Sequence, residues 1–320
     1  MLPLIIINNT AAKARDAWPV VQAELQQRGI GFESHHTTRA GDATNRTREA
    51  LLGGCPLIAV VGGDGTLSEA AEGFFTFRTN SADPRTVNPR AVLAILPSGT
   101  GDDFARGLTN KREPLQYWTR KLIDYCCSTS ASNVRDVDVL IGHSNGLEDP
   151  FICINASTMG IGGETASRVA AQGQLIRRFS GETRFMLAAV GALMAWRERR
   201  VRVVLDEQVV ADGPMNLVAV ANNRFAGGGM LLTPDAKVDD GKLDVVTASG
   251  LSRFGVIREL PRIHSGGHVR NPKVNVFQGK QVVIETFSDE HGLPIEADGN
   301  LRGKTPAKFR VLPRALRVVL

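Results

Sequence analysis

The sequence predicts an α/β domain built on a parallel sheet, followed by a mainly β domain. Three observations lead there. The chain has 320 residues, more than a single core usually holds, so two domains are expected. Over the first 130 residues, β-branched apolar runs alternate with longer amphipathic stretches, the order of a parallel sheet with helices on both faces. Past about residue 133 the apolar runs shorten, alternate at period two and are separated by glycine-containing turns, which suits antiparallel pairing.

Taken in order, "LPLIIIN" is a strand, and "AAKARDAWPVVQAELQQRG" reads as a helix interrupted near Pro19 and stopped by Gly29. "IGFESHHT" is a second strand, "GDATNRTREALLGG" a helix and "PLIAVV" a third strand. A glycine turn then leads into the helix "TLSEAAEGFF", a loop rich in Asn, Asp and Pro, and the strand "AVLAIL". The boundary falls at about 128–134, in "STSASN". Beyond it, "VRDVDVLIG", "PFICINAS", "RVRVVLDEQVV", "MNLVAVANN", "KLDVVTAS", "KVNVFQG", "QVVIET" and "FRVLP" read as strands, with a helical insert near 164–197.

An apolar fraction of 42% and the lack of low-complexity segments fit an ordered globular chain. The four cysteines form no CxxC pair, and Cys126 and Cys127 are adjacent, so a reducing, cytoplasmic setting is expected. The opening "MLPLIIINNT" reads as a first strand and not as a signal peptide. The longest apolar run, "FMLAAVGALMAW" at 185–196, is too short to cross a bilayer.

The net charge is +5, and residues 165–205 alone carry eight basic and two acidic side chains. That strip, beside the apolar run, suits a surface that meets anionic lipid or phosphate. The plainer reading of the run itself is a core helix with a solvated basic face. Nucleic acid is disfavoured, because the strip lacks interleaved aromatics and matches no nucleic-acid fold signature.

The chemistry concentrates in two turns. Gly62, Gly63 and Gly65 follow a strand and open a helix, so backbone N–H groups there can approach phosphate oxygens. The P-loop lysine and the GxGxxG spacing are both missing. A second turn, "LPSGTGDDFARGL" at 96–108, repeats the pattern, with a helix expected from Asp102 or Asp103. Two such turns at one sheet edge can hold a polyphosphate between them. Their acids, Asp64 and Asp102 or Asp103, would repel it unless a divalent cation such as Mg²⁺ neutralised the group. Read plainly, each aspartate is a helix cap.

"GGDGTLSE" together with "PSGTGDDFARGL" resembles the diacylglycerol kinase catalytic domain family, which includes YegS-like bacterial lipid kinases and sphingosine kinases. "TTRAGDA" (37–43), "INASTMGIGGE" (154–164), "NNRFAGGGMLLTPDAKVDDGKLDVV" (222–246) and "IEADGN" (295–300) follow in the family's order. The resemblance implies a Rossmann-like nucleotide-binding domain over 1–130 and a β-sandwich-like acceptor domain over 131–305, with the tail from about 306–320 returning to the first.

It also implies an ATP- and Mg²⁺-dependent lipid kinase acting on a diacylglycerol-like or sphingoid hydroxyl. Thr37, Gly62, Gly63, Asp64, Gly65, Thr66, Leu67, Ser68, Gly99, Thr100, Gly101 and Asp102 match ATP-binding positions. Asp240, with the carbonyls of Lys237 and Lys242, matches a structural Mg²⁺ site. Asp298 matches the general base of the family's "DGE" motif, and Asp64 would organise the catalytic Mg²⁺; "DG" alone would read as a hairpin turn. The basic insert, with Arg177, Arg178, Arg199 and Arg200, is the expected contact with an anionic membrane at its inner face. An exposed sheet edge leaves room for a homodimer.

Three departures stand out: "NNTAA" replaces "NPxSG" after the first strand, Asp102 stands where many members have Asn, and Asn300 replaces the glutamate after "DG". Two other readings stay open: an NAD kinase-like enzyme with a soluble acceptor, since the GGDGT turn also resembles that of NAD kinases, and a non-catalytic nucleotide-binding regulator, which Asn300 keeps in view. No HExxH motif occurs, which argues against metalloprotease chemistry.

Overall fold

A computed structural model of the chain describes residues 2–77, 84–128, 133–172, 181–287 and 292–320. The chain divides into two compact units, one of residues 1–139, 238–240 and 312–320, the other of residues 140–237 and 241–311. The expected division at 130/131 therefore moves to 139/140, inside a strand that begins at Val134.

The first unit contains β1 (Leu4–Ile7), α1 (Ala12–Gln27), β2 (Glu33–His36), α2 (Asp42–Leu52), β3 (Leu57–Gly62) and α3 (Asp64–Gly73). The short strands β4 (Phe75–Thr76) and β5 (Arg85–Thr86) follow, then β6 (Val92–Pro97), α4 (Asp103–Thr109) and α5 (Leu115–Ser128). Its sheet runs β2-β1-β3-β6, all parallel, and is extended at its far edge by the chain's C-terminal stretch, where Val318 pairs with Leu93. Every residue of β1 and β3 is buried, as expected of strands covered on both faces, which is why both read as unbroken apolar runs.

Helix α1 buries Ala14, Ala17, Trp18, Val21 and Leu25, one face at helical spacing. Pro19 does not interrupt it. The ring removes the hydrogen bond to the Arg15 carbonyl, but both residues lie on the exposed face, where water can replace it. Helix α3 starts two residues earlier than the sequence suggests, at Asp64. Helix α5, absent from the sequence reading, packs against β6 and α1 with Trp118 buried.

The second unit receives the chain through β7 (Val134–Asn145) and continues with β8 (Phe151–Cys153), β9 (Ala156–Gly160), α6 (Ile161–Ala170), α7 (Gly181–Ala195), β10 (Arg199–Leu205), β11 (Gln208–Met215) and β12 (Leu217–Ala221). Next come the short pair β13 (Phe225–Ala226) and β14 (Met230–Leu231), β15 (Leu243–Ala248), α8 (Arg253–His264), β16 (Val274–Gly279), β17 (Gln281–Thr286), β18 (Pro294–Ala297) and β19 (Asn300–Val319). One antiparallel layer runs β16-β15-β12-β9-β18, and a second joins β11, β10, β17 and β19.

Met159, Val220, Val245 and Ile295 from the first layer share one core with Val201, Val203, Val282, Ile284 and Phe309 from the second, so the unit is a β-sandwich. Phe151 and Phe309 meet edge to face at 5.9 Å between ring centroids. Fully burying a side chain of this size stabilises by about 1.5–3 kcal/mol, and the alternation along β10 and β19 supplies many of them. The expected insert is two helices, α6 and α7. Arg199 and Arg200 belong instead to strand β10.

Candidate functional site

The four parallel strands β2, β1, β3 and β6 place their carboxyl ends at one sheet edge, where α/β folds bind ligands. Thr37 ends β2, buried, its N–H donating to the Ile7 carbonyl at 2.9 Å. Asn8 ends β1; its Oδ1 accepts from the Thr10 N–H, the Thr10 hydroxyl and the Ala11 N–H, while Nδ2 donates to Thr66 Oγ1 at 2.8 Å. That last bond ties the loop after β1 to the first turn of α3.

The two glycine turns are pressed against each other. A Cβ on Gly99 would lie 2.7 Å from the Gly63 Cα and 2.9 Å from Asp102 Oδ1, closer than real Cβ contacts come. Only glycine allows this approach. The Ser98 N–H donates to the Gly62 carbonyl at 3.0 Å, continuing the β3/β6 ladder into the loops.

Asp64 resolves the puzzle of an acid in a phosphate-like turn. Its Oδ2 accepts the Asp103 N–H and its Oδ1 the Phe104 N–H, both at 3.0 Å, so the first residue of α3 caps the start of α4. Burial, then the charge of nearby Asp103, pushes its pKa up to about 6, against the pull of those two backbone donors. Asp102 shapes the second turn from a left-handed backbone (φ 52°): its Oδ1 accepts the Gly99 N–H at 2.7 Å and its Oδ2 pairs with Arg112 at 2.9 Å.

The expected ATP-binding residues fall into distinct groups. Gly62, Gly63, Gly65, Thr66, Gly99, Thr100 and Gly101 line the two turns. Leu67 and Ser68 are buried, and the Leu67 N–H is already spent on the Gly63 carbonyl at 3.1 Å, so that amide belongs to the helix and not to a ligand. Asp64 and Asp102 hold the turns together.

Two residues that the sequence reading passed over join them. Lys13, in the first turn of α1, brings Nζ to 3.5 Å from the exposed Thr100 hydroxyl. The buried Ser98 hydroxyl has no hydrogen-bond partner among the described residues. A lysine just after the first strand was the available signal for the former; the latter left none. A glycine cradle without Cβ atoms, a nearby lysine and an orphaned hydroxyl fit a nucleotide's phosphates.

Asp298 sits in the second unit, at the two-residue turn between β18 and β19, with φ 49° followed by Gly299 at 86°. It is therefore a hairpin residue, as "DG" suggests, yet its side chain turns inward and is only 5% exposed. Oδ2 accepts the Ile154 N–H at 2.7 Å, and Oδ1 accepts the N–H groups of Asn155 and Ala156 at 3.0 and 3.2 Å. The Cys153 thiol also donates to Oδ1 at 3.3 Å. Burial, then the charge of Asp298, pushes the Cys153 pKa well up, so it stays a thiol.

Glu296, two residues earlier, accepts the Thr158 hydroxyl at 2.7 Å and the Gly299 N–H at 2.6 Å. Asn300 buries an Nδ2 that has no partner among the described residues.

Asp240 is exposed and belongs to the first unit, whereas Lys237 and Lys242 belong to the second. Neighbouring Asp239 is engaged by Arg135 at 2.7 Å. Among the described residues no cluster of three or more His, Cys, Asp or Glu side chains forms a metal site.

Of the expected membrane arginines, Arg177 and Arg178 lie outside the described residues. Arg199 donates to the Gly292 carbonyl at 3.3 Å, and Arg200 pairs with Asp212 at 3.0 Å while stacking over Phe287. Both are engaged by the protein itself. No helix among the described residues is long and apolar enough to cross a membrane.

The sequence of these loops and the two-unit fold are those of a known kinase family. Residues 3–140 match the family model described as diacylglycerol kinase catalytic domain, and residues 159–320 match that of the YegS C-terminal NAD kinase beta sandwich-like domain. The chain belongs to the diacylglycerol kinase family in its YegS-like, two-domain form.

It is 29% identical over 307 residues to a diacylglycerol kinase of Mycobacterium tuberculosis, covering 93% of this chain and 87% of that one. It is 27% identical to a diacylglycerol kinase of Bacillus subtilis, covering 94% and 89%. The crystal structure of a diacylglycerol kinase from Bacillus anthracis shares the fold with a TM-score of 0.68 over 99% of this chain and 96% of that one, at 20% identity.

Proposed function

We propose that the protein is a cytoplasmic, ATP- and Mg²⁺-dependent lipid kinase that transfers the γ-phosphate to a hydroxyl of a diacylglycerol-like or sphingoid lipid at the inner face of the membrane. The observation that carries this reading is the pair of glycine turns locked together by Asp64, with Gly63 against Gly99. They form a phosphate cradle at the carboxyl edge of a parallel sheet. The diacylglycerol kinases among its relatives support a lipid acceptor.

The acceptor oxygen forms a bond to the γ-phosphorus as the bond to the β-phosphate oxygen breaks; ADP leaves with that electron pair, and the hydroxyl proton passes to the Asp298 carboxylate. Backbone N–H groups of the two turns and Lys13 hold the phosphates in line. Mg²⁺, when bound, would neutralise charge on the phosphates; Asp240 is assigned to a separate, structural Mg²⁺, and Asp64 is the carboxylate assigned to organise the ion at the phosphates. Asp64 does so at one remove if its oxygens keep capping α4, through the waters of the ion.

Four donors fix the Asp298 carboxylate in one orientation. The test is transfer of labelled phosphate from Mg·ATP to diacylglycerol in mixed micelles, native beside Asp298→Asn. Label in the lipid that the variant abolishes supports the reading; label in neither, with ATP still bound, overturns it.

A further inference from the structure

Helix α8 shows an unusual division between its faces. None of its twelve residues is buried. Its inner side is anchored by Ile263, and by Leu251 just before the helix, both packed against the alanine-rich face of β12 and β15. On the opposite side Phe254 is 84% exposed, Ile257 51% and Leu260 47%, an apolar stripe at helical spacing.

The charges are sorted in the same sense. Arg253, Arg258, Arg262 and His264 are exposed. The single acid, Glu259, is turned inward, 12% exposed, and held by Arg262 at 3.2 Å and Asn271 at 2.9 Å.

The entry to the helix is fixed on several sides. The Ser252 hydroxyl caps it through the Gly255 N–H at 3.1 Å. The Gly250 N–H donates to Glu198, just past the end of α7, at 3.1 Å, and the Gly250 carbonyl accepts from Lys273. Helix α7 exposes a stripe of its own, Leu187, Val190 and Met194.

We propose that α8 is the membrane-docking element of this protein: Phe254, Ile257 and Leu260 enter the headgroup boundary of an anionic bilayer while Arg253 and Arg258 pair with its phosphates. The inference rests on the lipid kinase reading for its purpose, but not for its physics. A convex helix that shows apolar side chains between cations, and hides its one acid, complements an anionic lipid surface. The longer arginine side chains can lie along the surface while Phe254 inserts between them. This places docking on α8 and not on Arg199 and Arg200, which the protein itself engages.

The experiment is co-sedimentation of the full chain with vesicles of phosphatidylcholine alone or mixed equally with phosphatidylglycerol. The triple change Phe254→Ser, Ile257→Ser, Leu260→Ser should lower partitioning by about tenfold or more, with an unchanged melting temperature, since three exposed apolar side chains are lost. Changing Arg253 and Arg258 to Ala should lower it by about tenfold on anionic vesicles, with little change on neutral ones.

In Phe254→Trp, anionic vesicles should blue-shift the added tryptophan's emission relative to the native protein. Native-like partitioning of the triple variant, or no shift at position 254, would overturn the proposal. So would a native dimer that the triple change makes monomeric without loss of vesicle binding, since the stripe would then be a face between two copies. Kinase activity on detergent-dispersed diacylglycerol separates the two claims: docking through α8 without phosphotransfer would refute the enzyme reading alone.

Discussion

Asp64, the first residue of α3, accepts the backbone N–H of Asp103, the first residue of α4, at 3.0 Å. One acid thus joins the two phosphate-like turns and sits where their helices begin. The cost shows in its pKa, about 6. The native state holds the Asp64 proton more tightly than the unfolded chain, so this group favours the fold at low pH and loses that contribution as pH rises through about 6. A cation that joins the site offsets the charge. Mg·ATP should therefore raise the melting temperature more at about pH 8 than at about pH 5, and thermal shift at the two pH values checks it. An equal shift at both would remove Asp64 from the ion's surroundings.

Gly99→Ala tests the contact between the turns. The added Cβ meets Gly63 backbone at 2.7 Å, and backbone cannot swing aside as a flexible side chain would. Overpacking of this kind costs about 1–3 kcal/mol. The expected result is a modest fall in melting temperature with an ATP affinity at least about tenfold weaker by calorimetry.

Lys13→Ala removes a cation from the exposed side of the Thr100 loop. Because the site is open to solvent, the loss should be small, about three- to tenfold in ATP affinity, and should shrink as salt rises. Titration at two ionic strengths distinguishes this from a folding effect.

Asp298→Asn keeps the left-handed turn, which Asn tolerates as Asp does, and keeps the side chain's shape. It replaces one acceptor oxygen with a donor facing backbone N–H groups. The expected outcome is a kcat lowered by about 10²-fold or more with ATP affinity unchanged, together with a measurable loss of stability. An unchanged kcat would leave Asp298 a hairpin residue and nothing else.

Much of this architecture could be read before any coordinates, and the gaps have causes. The strands of the first unit are unbroken apolar runs because both faces are covered, and the glycine turns announce themselves by composition. Helix α5 was legible but unread: in "LQYWTRKLIDYCCS", Leu115, Trp118, Leu122 and Cys126 recur at helical spacing just after Pro114, and Trp118 and Leu122 are buried. Helix α8 was also unread; its periodicity marks a helix, but periodicity cannot tell that Phe254, Ile257 and Leu260 face outward. The break expected at Pro19 did not occur, since a proline on a solvated face costs less than one in the interior. The capping role of Asp64 was legible only as a general preference, because its partner lies 39 residues away.

The central claim is phosphotransfer to a lipid. The direct measurement supplies Mg·ATP labelled at the γ-position to micelles of diacylglycerol, sphingosine and phosphatidylglycerol, with NAD as a soluble acceptor alongside. Label should appear in one lipid, vanish when EDTA removes the metal and return with added Mg²⁺. Label in NAD alone, or ATP bound with no acceptor labelled, would contradict it.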